Sequence, residues 1–490
     1  MDGSAAEAGM IAARIRQNLA RLTTFELTPR LMWRIYAVAA LVMLPAVFIQ
    51  YVGEEAVTVI IAQEMREGGE FIVTTLYGRI YGRPGLFPGL IALVASLIGW
   101  SHILIAARLV ALAATFLTGL VLAWFVARVL RDRLLAAFAA VVYLSGDTLV
   151  HHGWLAYTDP LFGLFVFGAT TCLWVALEER RPIWFVAAGA ALAAAFLTKT
   201  LTAYVFHAGT GLALAWLHPN RRLLLHPLSL LAHGAALAVP FAWSAQVGGN
   251  MMVSTFLGNV GGMLGGAGPW DAVWAHAGHA AAYPVLLAWN LLPASAIAAC
   301  CVMRRGFPLA RLSAPPLAIA VSALALGVAP YWLSAEAGLR YMIPLYPLFA
   351  LVLASIILQG GAAALMLRAQ VATIALAFVV ITVGFPVYER VVRGDYGAVA
   401  RQVLALTHGQ PLYALDDSSA GLSLVAHLNI LRAAADPPLP PLTTPPPQMS
   451  AGYVLADRPD AVAEAAALPL RLGHGTRYLL CKGAACAAQR

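Results

Sequence analysis

Long segments without charged residues are the feature that most limits how this chain can fold. Windows of about 20 residues that are nearly free of charge recur along the sequence, and an α-helix needs that length to cross the hydrocarbon core of a bilayer. Only 11% of the 490 residues are charged and 61% are hydrophobic, whereas a soluble domain has about 25% charged residues. The sequence therefore predicts an all-α polytopic membrane protein in extensive contact with membrane lipid.

The distribution of basic residues agrees with this prediction. The net charge of +8 is modest for a chain of this length. Its arginines cluster in short loops between apolar segments, which is typical of membrane topology and not of a nucleic-acid-binding surface. We therefore expect no nucleic-acid partner.

Apolar segments of sufficient length predict about eleven membrane helices. One further apolar stretch, LFPGLIALVASLIGW at 86–100, is short and carries a proline and a glycine near its start. The predicted spans are 31–50, 103–127, 134–151, 158–177, 183–199, 201–217, 226–245, 281–302, 313–334, 340–359 and 362–387.

The stretch 86–100 decides the orientation of everything that follows it. If it stays on the outer side as a re-entrant or interfacial helix, and the N-terminus is cytoplasmic, nearly every basic loop faces the cytoplasm, as the positive-inside rule requires. If it crosses, the same arginines move outside. We therefore predict that it does not cross. The outer face then carries the loops 51–85, 151–159 and 246–280.

The two ends of the chain differ from its apolar middle. Residues 1–30 lack a continuous apolar core and a cleavage site, so we expect no cleavable signal peptide and a cytoplasmic amphipathic segment. Residues 31–387 form the predicted transmembrane domain. Residues 388–490 contain fewer apolar runs and a proline cluster at 437–447, which predict a small α/β domain outside the cytoplasm with a stiff exposed loop. Cys481 and Cys486 lie close together there and suit a disulfide in an oxidising compartment.

Two adjacent carboxylates, Glu54 and Glu55, follow the first predicted span in YVGEEAVTVIIAQEM. One interpretation is a solvated helix cap, since carboxylates are favourable at a helix N-terminus, and capping accounts for one of the two. The other interpretation is a general base at the water–lipid boundary, where an acceptor from solution meets a donor carried in lipid. The residues alone leave both open.

The loop HHGWLAYTD contains a third acidic candidate, Asp159, just before another predicted span. Its place beside Pro160 suits an N-cap, which would explain it without any chemistry. His151 and His152 lie in the same loop and, with Asp159, could bind a metal ion or a phosphate, although adjacent histidines rarely form a metal site alone.

Isolated cations also occur on the predicted outer face. Lys199, in AFLTKTLTAYVF, and Arg340, in EAGLRYMIPLYP, lie at the ends of apolar runs. Lys199 either reaches toward the interface with its long side chain or binds a lipid phosphate. Arg340 either binds a lipid phosphate or pairs with Glu336. Arg79 and Arg83 offer further phosphate contacts, and the neighbouring Tyr77 and Tyr341 are candidate site-lining residues.

Taken in order, these segments are similar to a known family. A first span is followed by an acidic pair, then AQEMREGGEFIVTTLYGRIYGRPGLFPGLIALV, then TDPL, FLTK and RYMIPLYPLFALVLA. The pattern over about 31–350 resembles bacterial GT-C glycosyltransferases related to the lipid A aminoarabinose transferase and, more distantly, the protein O-mannosyltransferases. The resemblance implies a GT-C fold with juxtamembrane helices on the outer face.

The resemblance also implies an activity, which is sugar transfer from a polyprenyl-phosphate donor on the periplasmic face of the bacterial inner membrane. It assigns the base to Glu54 with Glu55 beside it, a second acidic role to Asp159, and the donor phosphate to Lys199 and Arg340. The family has aspartate where this chain has Glu54, and the extra methylene moves the carboxylate by about 1 Å, enough to matter for catalysis. The expected reaction is a single displacement with inversion. No recognised metal motif is present, so no cofactor is predicted and a divalent metal stays unsupported.

Two rival functions remain at this point. A transporter or flippase would show an internal repeat and broken helices at the bilayer midplane, and we find no convincing repeat. A relative that kept the fold and lost its chemistry would fit the replacement of aspartate by Glu54. The sequence names neither the sugar, hexose or pentose, nor the acceptor, which could be a lipid, a glycan or a protein.

Overall fold

The computed structural model describes residues 27–248, 269–334 and 338–489. Among these residues, seven helices are long and apolar enough to cross a membrane, or eight if one bent pair is a single span. The protein is therefore a polytopic membrane protein, as predicted, while the total of eleven spans stays a prediction. The seven run Pro29–Phe48, Trp100–Val129, Thr158–Glu178, Pro227–Gln246, Pro315–Trp332, Leu339–Gln359 and Ala363–Thr407.

The predicted span 281–302 is not one straight helix. It consists of helices Ala277–Asn290 and Ala294–Arg305, which meet at an angle of 107°. Pro293 lies at the break, and proline disfavours helical conformation in the residue before it. The short stretch 86–100 is helical over Leu86–Ile98, and whether it crosses the membrane stays a prediction.

The predicted span 134–151 also ends early, at Tyr143. Gly146 follows with φ of 54°, and a Cβ there would lie 2.4 Å from the carbonyl oxygen of Asn290. Only glycine tolerates both the conformation and the contact. The chain turns here and re-forms as the π-helix Thr148–His152.

The segment 51–85, which we call the first outer loop after its predicted position, folds into a helix and a hairpin. Helix Glu55–Gly68 buries one apolar face and ends at Gly69 in the left-handed conformation. Strands β1 (Thr75–Leu76) and β2 (Arg79–Ile80) pair antiparallel across the two residues between them.

The C-terminal segment contains helices Tyr396–Thr407 and Ser419–Ala433 and a four-stranded sheet. The prediction of mixed helix and strand in this segment is confirmed. Cys481 and Cys486 form a disulfide. The strands are β3 (Leu412–Ala414), β4 (Gly452–Ala456), β5 (Ala466–Leu472) and β6 (Gly475–Lys482), in the order β3-β4-β6-β5, with β3 parallel to β4 and the other pairs antiparallel.

This C-terminal segment packs directly on the first outer loop. Helix Ser419–Ala433 lies against helix Glu55–Gly68. Between them Asn429 donates to the Gln63 side chain at 3.0 Å and accepts from the Leu442 backbone at 2.9 Å. The proline cluster is mostly exposed, as predicted, but Leu442 is buried and anchors it.

The amphipathic segment predicted for 1–30 lies almost wholly outside the described residues.

The remaining elements are the α-helices Pro29–Met43, Ile103–Val129, Arg133–Tyr143, Ile183–Thr198, Thr202–Leu217, Pro269–Asn290, Leu309–Leu312, Tyr346–Gln359, Ala363–Val379 and Phe385–Tyr388, the 3-10 helices Leu44–Phe48, Trp100–His102, Arg221–Leu225, Leu339–Leu345 and Gly483–Gln489, and the π-helices Val380–Gly384 and Glu389–Arg393.

Candidate active site

Glu55 belongs to a closed, buried ion pair. Its carboxylate is fully buried and accepts two hydrogen bonds from the Arg108 guanidinium, from Nε to Oε1 at 3.0 Å and from Nη2 to Oε2 at 2.7 Å. The backbone N–H groups of Val52 and Ala156 donate to the same carboxylate, each at 2.7 Å. Glu55 therefore joins the first outer loop, the helix that carries Arg108 and the loop before Asp159, and no face of it is open to a substrate.

Arg108 itself was not singled out by the sequence analysis. Its remaining guanidinium N–H groups donate to the backbone carbonyls of Ala46 at 2.6 Å, of Gln50 at 2.6 Å, and of Ile49. The available signal was a lone cation inside an apolar span, ILIAARLVALAA, where a charge is expensive unless it is paired.

Glu54 has the opposite environment. It is the N-cap residue of helix Glu55–Gly68, but its side chain makes no capping hydrogen bond and is 61% exposed. Its backbone N–H donates to the Tyr157 hydroxyl at 3.3 Å. A Cβ on Gly53 would lie 2.1 Å from that hydroxyl, so glycine at this position lets the tyrosine approach. These contacts fix the backbone at Glu54, while its carboxylate is left open to solvent.

Asp159 and Lys199 form a second buried ion pair. Asp159 is 3% exposed and Lys199 is 8% exposed, and the Lys199 ammonium donates to the Asp159 carboxylate. The N-cap of helix Thr158–Glu178 is Tyr157 and not Asp159. The ammonium also lies 4.6 Å from the centre of the Tyr341 ring, a distance that permits a cation–π contact.

Arg340 connects the open carboxylate to the buried pair. Its Nη1 lies 3.7 Å from the Glu54 carboxylate, and its guanidinium lies 5.8 Å from the ring centres of both Tyr157 and Tyr341. Its side chain is 38% exposed. The alternative partner Glu336 lies outside the described residues. Burial raises the pKa of the Tyr157 phenol, so this hydroxyl stays protonated near neutral pH.

The structure therefore brings together side chains that are far apart in the chain. Helix Thr158–Glu178 packs against the 3-10 helix Leu339–Leu345, which places the aspartate of one beside the arginine and tyrosine of the other. Tyr157 is the member of this cluster that the sequence analysis missed. We call the following set the open cluster: Glu54, Tyr157, Asp159, Lys199, Arg340 and Tyr341.

Three further predicted site residues lie in the first outer loop: Tyr77 as a site-lining residue, and Arg79 and Arg83 as phosphate contacts. Tyr77 is buried and its hydroxyl donates to the Asp416 carbonyl at 2.7 Å. Arg79 Nε donates to the Thr444 hydroxyl at 3.2 Å. Arg83 lies over the ring of the tyrosine two residues before it. The first two contacts join the loop to the C-terminal segment, and a role in phosphate binding stays a prediction.

His151 and His152 lie near the open cluster. The ring centre of His152 is 6.5 Å from that of Tyr157. Their nearest carboxylate is Asp147, whose Oδ1 lies 2.7 Å from His152 Nδ1. Burial lowers the pKa of His151.

The arrangement suits transfer chemistry with a phosphate leaving group. Glu54 is open to solution and can accept a proton, whereas Lys199 and Arg340 are positively charged and partly shielded from water. Cations in such surroundings bind phosphate oxygens with charge-assisted hydrogen bonds and stabilise charge that develops on them.

This helical array, with its juxtamembrane loop and small C-terminal sheet region, has the fold of the GT-C glycosyltransferases. The chain is similar to the solved structure of ArnT from Cupriavidus metallidurans bound to undecaprenyl phosphate, with a TM-score of 0.65 and 14% identity over 93% of this chain and 98% of that one. The apo state of the same protein gives a TM-score of 0.61 and 13% identity over 91% and 97%.

Two further comparisons agree. The oligosaccharyltransferase of Archaeoglobus fulgidus in its apo form has a TM-score of 0.50 and 10% identity over 81% of this chain and 64% of that one. The family model of the dolichyl-phosphate-mannose-protein mannosyltransferases matches residues 83–244. That range includes Asp159 and Lys199 but neither Glu54 nor Arg340. The resemblance predicted from the sequence is thus confirmed.

Proposed function

We propose that this protein is an integral membrane glycosyltransferase that moves a sugar from a polyprenyl-phosphate donor to an acceptor on the outer face of the membrane. The observation that carries the proposal is the 3.7 Å approach of Arg340 to the exposed Glu54 carboxylate, with the Asp159–Lys199 pair behind it. The fold supports it, since the ArnT structure it resembles holds undecaprenyl phosphate.

The mechanism follows from the two halves of the open cluster. Glu54 takes the proton from the acceptor group as that group attacks the anomeric carbon. The bond from this carbon to the phosphate oxygen breaks, and the polyprenyl phosphate leaves with the electron pair. Lys199 and Arg340 stabilise the departing phosphate, and Asp159 positions Lys199. One base and one good leaving group give a single displacement with inversion.

The orientation is part of the same proposal. We place the N-terminal segment in the cytoplasm, residues 31–387 in the bacterial inner membrane, and residues 388–490 in the periplasm. The positive-inside rule supports this orientation. The Cys481–Cys486 disulfide supports it too, because such bonds persist in oxidising compartments. The helical run that begins at Ala363 continues past residue 388 to Arg393 and is interrupted at Gly394 and Asp395, so the structural break lies shortly after the proposed boundary.

The rival functions have less support. A transporter site would be expected near the bilayer midplane between broken helices, whereas Glu54, Asp159 and Lys199 lie at helix ends. An inactive relative would have no need to keep a carboxylate exposed beside a cation. The assay below distinguishes a hexose from a pentose donor. It also distinguishes a lipid, a glycan and a protein as acceptors.

The test is direct sugar transfer by purified protein in nanodiscs. Labelled polyprenyl-phosphate sugars, presented as a panel of hexoses and pentoses, are incubated with a membrane extract as the source of acceptors. We expect transfer from at least one donor, with inversion at the anomeric carbon when the product is analysed by NMR. The variant Glu67→Gln changes an exposed carboxylate on the same helix and should transfer at the wild-type rate. Folded protein that transfers no sugar from the whole panel would overturn the proposal, and retention of configuration would overturn the single displacement.

A further inference from the structure

Three side chains with metal-binding atoms converge beside the open cluster. Asp147, His151 and His152 each offer one ligand atom, and these atoms all lie within 4.8 Å of one another. The Asp147 carboxylate oxygen is 2.7 Å from His152 Nδ1 and 3.9 Å from His151 Nδ1. Ligand atoms on one tetrahedral zinc ion are roughly 3.3 Å apart, since each lies about 2.0–2.1 Å from the metal. The observed separations bracket that value.

The local backbone explains the convergence. Residues Thr148–His152 form a π-helix, whose hydrogen bonds run from residue i to residue i+5. This geometry brings His152 back over Asp147, with His151 beside it. In an ordinary α-helix His151, at i+4, would lie on the same face as Asp147, whereas His152, at i+5, would not. Single π-turns are uncommon and frequently occur at functional sites.

A simple ion pair explains only part of this arrangement. Asp147 and His152 could form one by themselves, but His151 also turns its Nδ1 toward the same oxygen, and its ring centre lies 4.4 Å from that of His152. Two protonated imidazoles this close would repel each other. A metal ion takes neutral imidazoles as ligands. Two neutral imidazoles and one carboxylate around a cation satisfy all three groups.

The surroundings orient these ligands and leave one side open. The Tyr346 side chain neighbours the Asp147 carboxylate, and its hydroxyl accepts from the Asn290 side chain at 3.2 Å. The His151 ring stacks on Phe385 at 6.3 Å between centres. Outer partners of this kind fix ligand orientation in known metal sites. The His151 side chain is 40% exposed, which provides a path for an ion and a free coordination position.

We propose that Asp147, His151 and His152 bind a divalent metal ion, and that zinc is the ion this donor set favours. Imidazole suits zinc better than magnesium or calcium, and three protein ligands with an open position form a common zinc arrangement. The metal stabilises the loop between the π-helix and Tyr157, and so helps to position Tyr157 in the open cluster. The site is separate from the proposed transfer chemistry, which routes no step through a metal.

The experiment measures zinc bound to the purified chain. The protein is prepared without a polyhistidine tag, stripped with EDTA, incubated with zinc chloride, desalted and analysed by inductively coupled plasma mass spectrometry. We expect about one zinc per chain, and loss of that zinc in Asp147→Asn and in His151→Gln. The control His474→Ala removes an exposed histidine of the C-terminal segment and should keep the metal.

Thermal unfolding gives a second readout that does not depend on activity. Zinc should raise the unfolding midpoint of the wild type and of His474→Ala, because a ligand that binds the folded state stabilises it, and it should leave Asp147→Asn unchanged. Folded wild type that retains no zinc overturns the proposal. Equal zinc retention by the wild type, Asp147→Asn and His151→Gln also overturns it, since the ion would then lie elsewhere.

Discussion

Glu54 and Glu55 are neighbours in the chain, yet the protein gives them opposite surroundings. Glu55 is fully buried, and Arg108 and two backbone N–H groups occupy its oxygens. Glu54 is 61% exposed and has one cation at 3.7 Å. A carboxylate enclosed by donors cannot exchange partners with a substrate, whereas an exposed one can. Glu55 is therefore a structural residue of the site, whereas Glu54 is free to interact with a substrate.

The Asp159–Lys199 pair lies between these extremes. Both side chains are nearly buried, but the ammonium is shared between a carboxylate and the face of Tyr341. The pair is therefore structural, and its cation also belongs to the open cluster. The predictions below are ordered by their expected effect on the free energy of unfolding.

The largest effect is expected for Glu55→Gln. It leaves the Arg108 guanidinium buried without a counter-charge, and removing one partner of a buried pair costs about 3–5 kcal/mol. Thermal unfolding in detergent should show a strongly lowered midpoint and a low yield of folded protein. Wild-type stability combined with lost transfer would contradict the structural role of Glu55 and make it the chemical residue.

A smaller loss is expected for Lys199→Met, which keeps most of the length of the side chain and removes its charge. The uncompensated Asp159 should cost about 3 kcal/mol, the lower end for a buried pair, because Lys199 is not wholly enclosed. Transfer should fall further than stability explains, since a cation at the leaving phosphate is lost. The double variant Asp159→Asn with Lys199→Met should regain stability without regaining transfer, and recovery of both would sink the phosphate role.

Tyr77→Phe tests the contact between the first outer loop and the C-terminal segment. It removes one buried hydrogen bond to the Asp416 carbonyl, a change worth about 0.5–1.5 kcal/mol. Hydrogen exchange should increase in the hairpin of the first outer loop, with transfer close to the wild-type rate. A large loss of donor affinity would instead assign Tyr77 to the substrate site.

A small effect on stability is expected for Arg340→Gln. Its pairing with Glu54 is largely exposed, and such pairs contribute at most about 1 kcal/mol. The donor KM should rise, because a cation that binds the donor phosphate is lost. Arg340→Lys is the matched variant that keeps the charge. Unchanged kinetics in both variants would remove Arg340 from the site.

Parts of this account are visible in the sequence for physical reasons. Apolar length predicts membrane helices, and the positive-inside rule places Glu54, Asp159, Lys199 and Arg340 on one face before any contact is known. Local pattern could not supply Arg108 as the partner of Glu55, because the two are joined by tertiary packing across 53 residues of chain. The same holds for Asp147, which the sequence analysis did not connect with the two histidines, since the connection depends on a π-turn.

The break at Pro293 shows a further limit. Hydropathy measures whether a segment prefers lipid, and it does not register a bend within an apolar run. The contact of Leu442 with Asn429 of helix Ser419–Ala433 could not be predicted either, because Leu442 lies inside a proline cluster typical of an exposed loop.

One measurement tests the difference between the two glutamates most directly: the single-turnover rate of sugar transfer by Glu54→Gln in nanodiscs, with the thermal unfolding midpoint recorded on the same sample. The account predicts an unchanged midpoint, because the side chain is exposed, and a rate lowered by about 10²–10⁴-fold, the usual contribution of a general base. Glu54→Asp should retain part of the rate. Transfer by Glu54→Gln at the wild-type rate, from protein with the wild-type midpoint, would contradict the central claim.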